Sequence, residues 1–203
     1  MAVRRGLASL AVMPLLVIVM ILGFGAPAAS AVSLDKATGG QFSLFVPLQT
    51  VGDLSRAGLF TTPISPAYLT FTLEEGPAVR FPISGGTFES ATMLGTVESD
   101  GGIIMERQFP DGTKKDLQVT NVKIVNGNML VGNALGLVPA PTADLVNATH
   151  SKDHATGVVH YEADAQINLV TATVLNTYFS SDFFTAGFIL GHVKADVETK
   201  PLL

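Results

Sequence analysis

The chain has 203 residues, of which 47% are hydrophobic and 14% charged, with a formal net charge of −5 and a mean hydropathy of +0.41. Disordered chains are poor in apolar residues and rich in charge, so this composition excludes that class. Because the sequence contains no cysteine, disulfide-stapled scaffolds, thiolate metal sites and cysteine nucleophiles are excluded as well.

An apolar N-terminal segment carries much of the positive hydropathy. Arg4 and Arg5 are its only charges, an apolar stretch follows over 7–24, and Ala29 and Ala31 form a small-residue A-x-A site. This order is typical of a secretory signal peptide that is cleaved after the second alanine. Because the apolar stretch approaches the length of a membrane span, a retained N-terminal anchor is the alternative.

The sequence therefore predicts a secretory signal peptide over 1–31 and a single β-rich domain over 32–203. Removing the two arginines with the signal changes the formal charge from −5 to −7. The remaining chain has no basic patch, which argues against nucleic acid as a partner. It also has no second run of about 18 apolar residues, so no membrane span is expected after cleavage. We expect a protein that is secreted or held in the cell envelope.

Short apolar runs bounded by Gly, Pro, Asn and Asp fill residues 32–203, and such runs predict β-strands. Alternation is clearest over 68–73, where Leu69, Phe71 and Leu73 share one face of a strand. The sequence predicts about ten strands in all. In chain order these lie at 41–46, 68–73, 78–83, 95–98, 103–108, 117–125, 129–131, 143–149, 157–165 and 188–197.

Turn residues set the predicted strand boundaries. Residues 99–102, Ser-Asp-Gly-Gly, indicate a hairpin turn between two strands, and Asn126-Gly127 indicates a tight two-residue turn. The Ser-Gly-Gly run at 84–86 predicts the end of a strand. The Val-Pro-Ala-Pro run at 138–141 predicts a loop that is too short to separate domains.

Two segments have helical character instead. Residues 51–57 follow Thr50, which forms a capping-box pattern with Asp53, and Gly58 is a natural helix stop. Over 170–179 the apolar residues recur at helical spacing. We therefore predict a mainly β fold. It is an antiparallel β-sandwich or barrel-like domain with one or two short helices, preceded by an N-terminal signal helix.

Several motifs between residues 41 and 197 form a series. They are Thr62-Pro63-Ile64-Ser65-Pro66-Ala67, Phe81-Pro82-Ile83-Ser84-Gly85-Gly86, Asp100-Gly101-Gly102-Ile103, Leu117-Gln118-Val119-Thr120-Asn121, Leu175-Asn176, Phe179, Phe184-Thr185-Ala186-Gly187 and Leu190-Gly191. The series resembles that of secreted actinobacterial proteins of the HtaA-like domain type, with an early loop, a strand end, a hairpin, a strand and a final helix, turn and strand.

This resemblance implies a β-rich domain that is exported to the cell envelope. The named members of the group bind haem in iron uptake through Tyr and His side chains, so the resemblance implies haem as the cofactor to consider. No Tyr or His of this chain lies within the matching motifs, and no ligand role is carried over to a particular residue.

Three of the four histidines, His150, His154 and His160, lie within eleven residues of sequence. Imidazole is a ligand for zinc, copper and haem iron, and spacings of four and six suit one metal held across a strand–loop–strand unit. The three histidines are therefore the candidate metal ligands. The alternative is a solvated polar loop, because residues 149–154 are hydrophilic.

His160 and Tyr161 are the candidate haem ligands. Adjacent residues of a strand point to opposite faces, so only one of the two would ligate a given haem. His160 also shares a strand face with Glu162 and Asp164. That trio suits either a bound cation or an ordinary solvated strand face.

Four closely spaced phenylalanines, Phe179, Phe183, Phe184 and Phe188, have two interpretations. They form either an apolar groove for a flat or lipidic ligand or a structural cap on the β domain. We expect the structural role, because a chain without tryptophan takes much of its aromatic core from phenylalanine.

No catalytic motif occurs in the sequence: it has no G-x-S-x-G, no H-E-x-x-H and no phosphate-binding loop. We therefore expect a noncatalytic binding or structural protein whose partner is an unknown small ligand or an envelope component. The first alternative is a haem- or metal-binding protein in iron uptake. The second is a secreted hydrolase.

Overall fold

The structure is a computed structural model. It describes residues 33–73, 75–134 and 139–202. The predicted signal peptide over 1–31, with its cleavage site at Ala29 and Ala31, lies outside the described residues. Neither described helix has the length and apolar character that crossing a membrane requires.

Eleven strands and two helices make up the described chain. In order they are β1 (Leu34–Phe45), α1 (Leu48–Arg56), β2 (Leu59–Ile64), β3 (Tyr68–Thr72), β4 (Gly76–Glu89), β5 (Gly95–Ser99), β6 (Gly102–Gln108), β7 (Lys114–Val125), β8 (Met129–Ala134), β9 (Pro139–Asp153), β10 (Val158–Gln166), α2 (Leu169–Phe179) and β11 (Ile189–Pro201).

Eight strands form a closed antiparallel ring in the order β7-β5-β4-β1-β11-β10-β9-β8, and the pairing of β8 with β7 closes it. The other three strands lie outside this ring: β6 pairs with β7, β2 pairs with β6, and β3 pairs with β4. The predicted mainly β antiparallel fold with two short helices is confirmed. Of the two architectures that the sequence left open, the structure has the barrel.

Alternation along the strands fills the interior of the barrel. On β10, Val159, Tyr161, Ala163 and Ala165 are buried, whereas the intervening His160 is exposed. A period of two is what one buried and one solvated sheet face require. The chain therefore directs one set of side chains into the barrel and the other set outward.

The buried residues form two clusters. The larger fills the barrel and includes Phe42 and Phe81, whose rings stack with centroids 4.7 Å apart. The smaller joins both helices to the outer strands through Leu54, Phe179 and Phe184, among others. The helices therefore pack at the barrel end where the second cluster lies.

The predicted strand break at 84–86 is wrong, because β4 runs through it. A register shift between Ile83 and Gly85 bends the strand there. Gly86 has a φ of 119°, and a Cβ atom at this position would lie 2.1 Å from the Thr96 carbonyl oxygen. The glycine therefore permits a close strand approach instead of ending the strand.

The predicted hairpin at 99–102 is also wrong. β5 and β6 pair with successive parts of β7, with Thr96 opposite Val125 and Gly102 opposite Thr120. The pairing partner is thus distant in sequence, which a local turn signal does not reveal. The tight turn at Asn126-Gly127 is confirmed, since it joins the paired strands β7 and β8.

The proline-rich loop and the first helix start differ from expectation. Pro139 and Pro141 belong to β9, where prolines are accommodated at a strand start and beside a register shift.

The first helix begins at Leu48 after Pro47, with no side-chain cap, and Thr50 is buried inside it. The predicted capping box is therefore wrong. β2 was not predicted at all.

Candidate functional site

An apolar cavity of about 320 Å³ lies between the barrel interior and α2. Phe42 and Phe81 from the barrel line it, together with Leu130 from β8 and Phe184 from the segment after α2. Ligand sites in proteins are mostly apolar clefts of about this volume and larger. The cavity is therefore the main candidate binding site of the domain.

Small side chains on one wall leave room for this cavity. Ala134 ends β8, and Ala140 and Ala143 lie near the start of β9, and all three line the space. Barrels commonly alternate small and large side chains to fill their interior. Because these three side chains are small, they leave volume in the lining that larger side chains would fill.

Helix α2 covers the cavity with one face. Val170, Val174, Leu175 and Tyr178 recur at helical spacing and all line the space. Val170 and Val174 are also 73% and 54% exposed to solvent. The same two side chains therefore border both the cavity and the solvent, which places the mouth of the cavity beside them.

The N-terminus of α2 is fixed by a side-chain cap. The Asn168 side-chain oxygen accepts from the Thr171 backbone N–H at 2.9 Å, and its amide nitrogen donates to the Asp144 carboxylate at 3.0 Å. An N-cap satisfies a backbone donor that has no partner inside the helix. The second bond ties the helix start to β9, across the cavity mouth.

Two cations hold the C-terminus of α2. Arg107 donates to the carbonyl oxygens of Phe179 and Ser180 at 2.6 and 2.7 Å. Lys115 donates to the Tyr178 carbonyl oxygen at 3.0 Å. Positive charge at this end is favourable because the last helical carbonyls carry a partial negative charge. The helix is thereby fixed to β6 and β7.

Few polar groups line the cavity. Tyr178 is one of the polar residues in the lining, and its hydroxyl donates to the Asp116 carbonyl oxygen at 2.5 Å. Thr171 also lines the space, and its hydroxyl donates to the Pro141 carbonyl oxygen at 3.3 Å. Both hydroxyls are thus engaged with backbone oxygens. The surface that a ligand would meet is therefore chiefly hydrocarbon.

Tyr161 and His160 lie on opposite faces of β10. The Tyr161 ring is buried at 1% exposure, and its hydroxyl donates to the Gly127 carbonyl oxygen at 2.8 Å. Burial raises the pKa of the Tyr161 hydroxyl well above its ordinary value. His160 is exposed, and its Nδ1 lies 2.6 Å from the Asp196 carboxylate. Neither residue lines the cavity, and their role as haem ligands stays a prediction.

The three clustered histidines have different surroundings. His150 lies opposite Tyr161 in the β9–β10 pair, and its Nε2 is 2.8 Å from the Ala91 carbonyl oxygen. His154 lies in the exposed turn that follows β9. Over the residues that the structure describes, no group of three His, Asp or Glu side chains is positioned to hold a metal ion. A metal site at these histidines stays a prediction.

The trio of His160, Glu162 and Asp164 forms part of a cross-strand charge ladder with β11. His160 pairs with Asp196, Glu162 lies opposite Lys194, and Asp164 lies 3.0 Å from His192 Nδ1. Hydrogen bonds from Asn147 and His192 hold the pKa of the Asp164 carboxyl below its ordinary value. These carboxylates therefore have partners within the sheet.

The four phenylalanines near the C-terminus have mainly the structural role that the sequence predicts. Phe183 and Phe184 meet edge to face at 5.0 Å, and Phe188 contacts both rings. Phe179 is completely buried. Phe184 also lines the cavity, so one of the four contributes to the candidate site.

The cavity itself was not predicted from the sequence. Its lining comes from strands across the barrel and from one face of α2. Two local signals bear on it: the apolar spacing over 170–179, and the phenylalanine cluster, whose alternative interpretation was an apolar groove and whose Phe184 lines the cavity. The spacing predicts a helix but does not identify what lies beneath it.

Comparisons with known proteins identify the fold. No family model matches the chain, and no curated protein sequence matches it. The solved C-terminal domain of HtaA from Corynebacterium glutamicum is 16% identical, with a TM-score of 0.57, over 82% of this chain and 99% of that domain. The haem-binding protein HtaB from the same organism is 12% identical, with a TM-score of 0.55, over 83% of this chain and 96% of HtaB. The described part of this chain therefore has the fold of the HtaA-like domains.

Proposed function

We propose that the domain is a noncatalytic binding protein that holds an apolar small molecule in the cavity beneath α2. The observation that carries this proposal is the cavity, with its hydrocarbon lining and its mouth beside Val170 and Val174. Transfer of apolar surface out of water supplies the binding free energy, at about 25 cal/mol for each Å² buried.

Haem is the first ligand to test. HtaB is a haem-binding protein and shares this fold, which supports a flat apolar ring system as the ligand. The two residues in the cavity lining with atoms that haem iron accepts are Tyr178 and Met105. The described lining contains no histidine. The cavity lining is therefore better suited to contact with the apolar ring of a porphyrin than to ligation of the iron at its centre.

The hydrolase alternative receives no support from the surroundings of the histidines. His150, His160 and His192 bond to the Ala91 carbonyl oxygen, Asp196 and Asp164 respectively. A hydrolytic site in which histidine is the base needs a nucleophile within hydrogen-bonding reach of that histidine. The partners of these three histidines are a carbonyl oxygen and two carboxylates instead. We accordingly keep binding as the proposed function.

We also propose that the protein acts in the cell envelope or outside the cell. The signal-peptide pattern over 1–31 supports this location. Mass spectrometry of the protein recovered from the producing cells tests it. A mature chain that begins at Val32 is expected, and a chain that retains Arg4 and Arg5 in the medium would contradict export by cleavage.

A hemin titration tests the proposed binding site. Ala140 is exposed at the cavity mouth, so Ala140→Trp places a large ring in the opening and should weaken hemin binding by about tenfold or more. Ala148 is exposed on the same strand but does not line the cavity, so Ala148→Trp is the matched control. Equal affinities of the two variants would contradict binding in the cavity.

A further inference from the structure

We infer that the cavity holds its ligand by apolar contact alone, without a bond to a metal, so that a porphyrin binds there with or without iron. This inference rests on the proposed function, because it concerns the same cavity. The ligand then belongs to the class of largely hydrocarbon molecules. In the case of haem, the protein would recognise the flat face of the porphyrin ring and not the iron.

The side chains that bind haem iron are few in this protein. The chain has four histidines, three tyrosines and no cysteine. All of the histidines and tyrosines lie within the described residues. Among these seven, only Tyr178 lines the cavity. Residues 135–138, which the structure does not describe, are Leu-Gly-Leu-Val and contain no histidine, tyrosine, methionine or cysteine.

Tyr178 is already engaged through its proton. Its hydroxyl donates to the Asp116 carbonyl oxygen at 2.5 Å. Tyrosine binds ferric haem as a phenolate, and a phenolate has no proton to donate. Iron ligation would therefore replace this hydrogen bond by a repulsive contact between two oxygens. The hydroxyl is therefore engaged with the backbone, and the Tyr178 side chain contributes its ring to the cavity lining.

Met105 does not complete a haem site either. Its side chain is 6% exposed and belongs to the second core cluster with Leu117 and Phe179. A haem thioether ligand works together with a histidine, as in cytochromes c. None of the four histidines lies in the cavity lining, and His150, His160 and His192 are held by other partners. The thioether therefore acts as apolar lining.

The remaining lining is well suited to hydrocarbon. Phe42, Phe81 and Phe184 belong to this lining but are each no more than 2% exposed, whereas Val170 and Val174 at the mouth are 73% and 54% exposed. The apolar surface that a ligand meets first is therefore aliphatic, and contact with hydrocarbon has no requirement for a central metal. A ligand would thus enter beside Val170 and Val174 and exchange water for apolar contacts.

Parallel titrations of the purified protein test this inference. The probes are hemin, metal-free protoporphyrin IX and the uncharged fluorophore N-phenyl-1-naphthylamine. We expect all three to bind, with dissociation constants for the two porphyrins that agree within about threefold. We expect Ala140→Trp to weaken both porphyrins equally and Ala148→Trp to leave both unchanged.

A different result overturns the inference alone. If hemin binds at least about tenfold more tightly than protoporphyrin IX and shows the charge-transfer bands of phenolate-ligated ferric iron, the cavity coordinates the metal. The proposed function would then stand and the inference would fail. If none of the three probes binds, the proposed function itself fails, and the inference fails with it.

Discussion

The Lys152 ammonium lies 2.7 Å from the carboxylate of Asp35, whose side chain is 2% exposed. The pair joins β9 to the first residues of β1, on strands that do not neighbour each other in the sheet. Lys152 also donates to the Ser90 hydroxyl at 3.3 Å, after the end of β4. Three elements of the barrel thus meet at one buried carboxylate.

Removing the cation from this pair should destabilise the domain. Lys152→Met leaves the buried Asp35 carboxylate without its partner, which costs about 3 kcal/mol of unfolding free energy. Lys114 pairs with Glu106 at a solvent-exposed site, so Lys114→Met should cost less than about 1 kcal/mol. Urea denaturation at pH 7 measures both variants. Similar losses for the two would show that the buried pair has no special role.

The same pair makes stability depend on acid. Burial raises the pKa of the Asp35 carboxyl, but hydrogen bonds from Lys152 and Ser90 outweigh this effect and hold the pKa below its ordinary value of 3.8. Because the folded-state pKa is the lower one, the stabilisation is present above the unfolded-state value and is lost as the pH falls through the folded-state value.

Denaturation at pH 7 and at about pH 3 should therefore show a smaller acid-induced loss in Asp35→Asn than in the unmodified protein. The other carboxylates with lowered pKa, including Asp111, Asp153 and Asp164, are common to both proteins and cancel in this comparison. An equal acid-induced loss in the two proteins would contradict the role assigned to Asp35.

Loss of the α2 cap should weaken the cover of the cavity. Asn168→Ala removes the bond to the Thr171 N–H and the bond to Asp144, and should cost about 1 to 2 kcal/mol. Thr173→Ala, on an exposed position of the same helix, should change stability by less than about 0.5 kcal/mol. Thermal denaturation checks both. A neutral Asn168→Ala would mean that the cap does not hold the helix.

Two glycine substitutions should act in opposite directions. Gly86→Ala introduces a Cβ atom 2.1 Å from the Thr96 carbonyl oxygen at a positive φ, and should cost about 2 kcal/mol or more. Gly52 lies in α1, where the nearest atom to an added Cβ is at 3.9 Å on Arg56. Gly52→Ala should therefore stabilise by about 0.5 to 1 kcal/mol. Changes of the same sign in the two melting temperatures would contradict the close approach of β4 to β5 at Gly86.

The sequence predicted those features of the fold that depend on local patterns. Alternation located β10 and placed His160 and Tyr161 on opposite faces, and Asn126-Gly127 located the turn between β7 and β8. Helical spacing located α2 to within one residue. In each case a period or a turn residue acts within a few positions along the chain.

Features that depend on distant pairing could not be predicted in this way. β5 and β6 flank a turn signal, yet both pair with β7, and the ring closes through β8. The cavity likewise depends on distant parts of the chain, since its lining combines Ala134 and Ala143 with side chains from other strands and from α2. The sequence instead directed attention to His160 and Tyr161, because residue types with ligand chemistry are visible without knowledge of the fold.

Hydrogen–deuterium exchange with and without hemin locates the bound ligand most directly. If the cavity binds it, amide exchange should slow in α2 and in the first residues of β9, which border the mouth. Exchange around His160 and Tyr161 should change little, because neither residue lines the cavity. Protection centred on β10 and on the turn that contains His154, with α2 unaffected, would contradict a ligand site beneath α2.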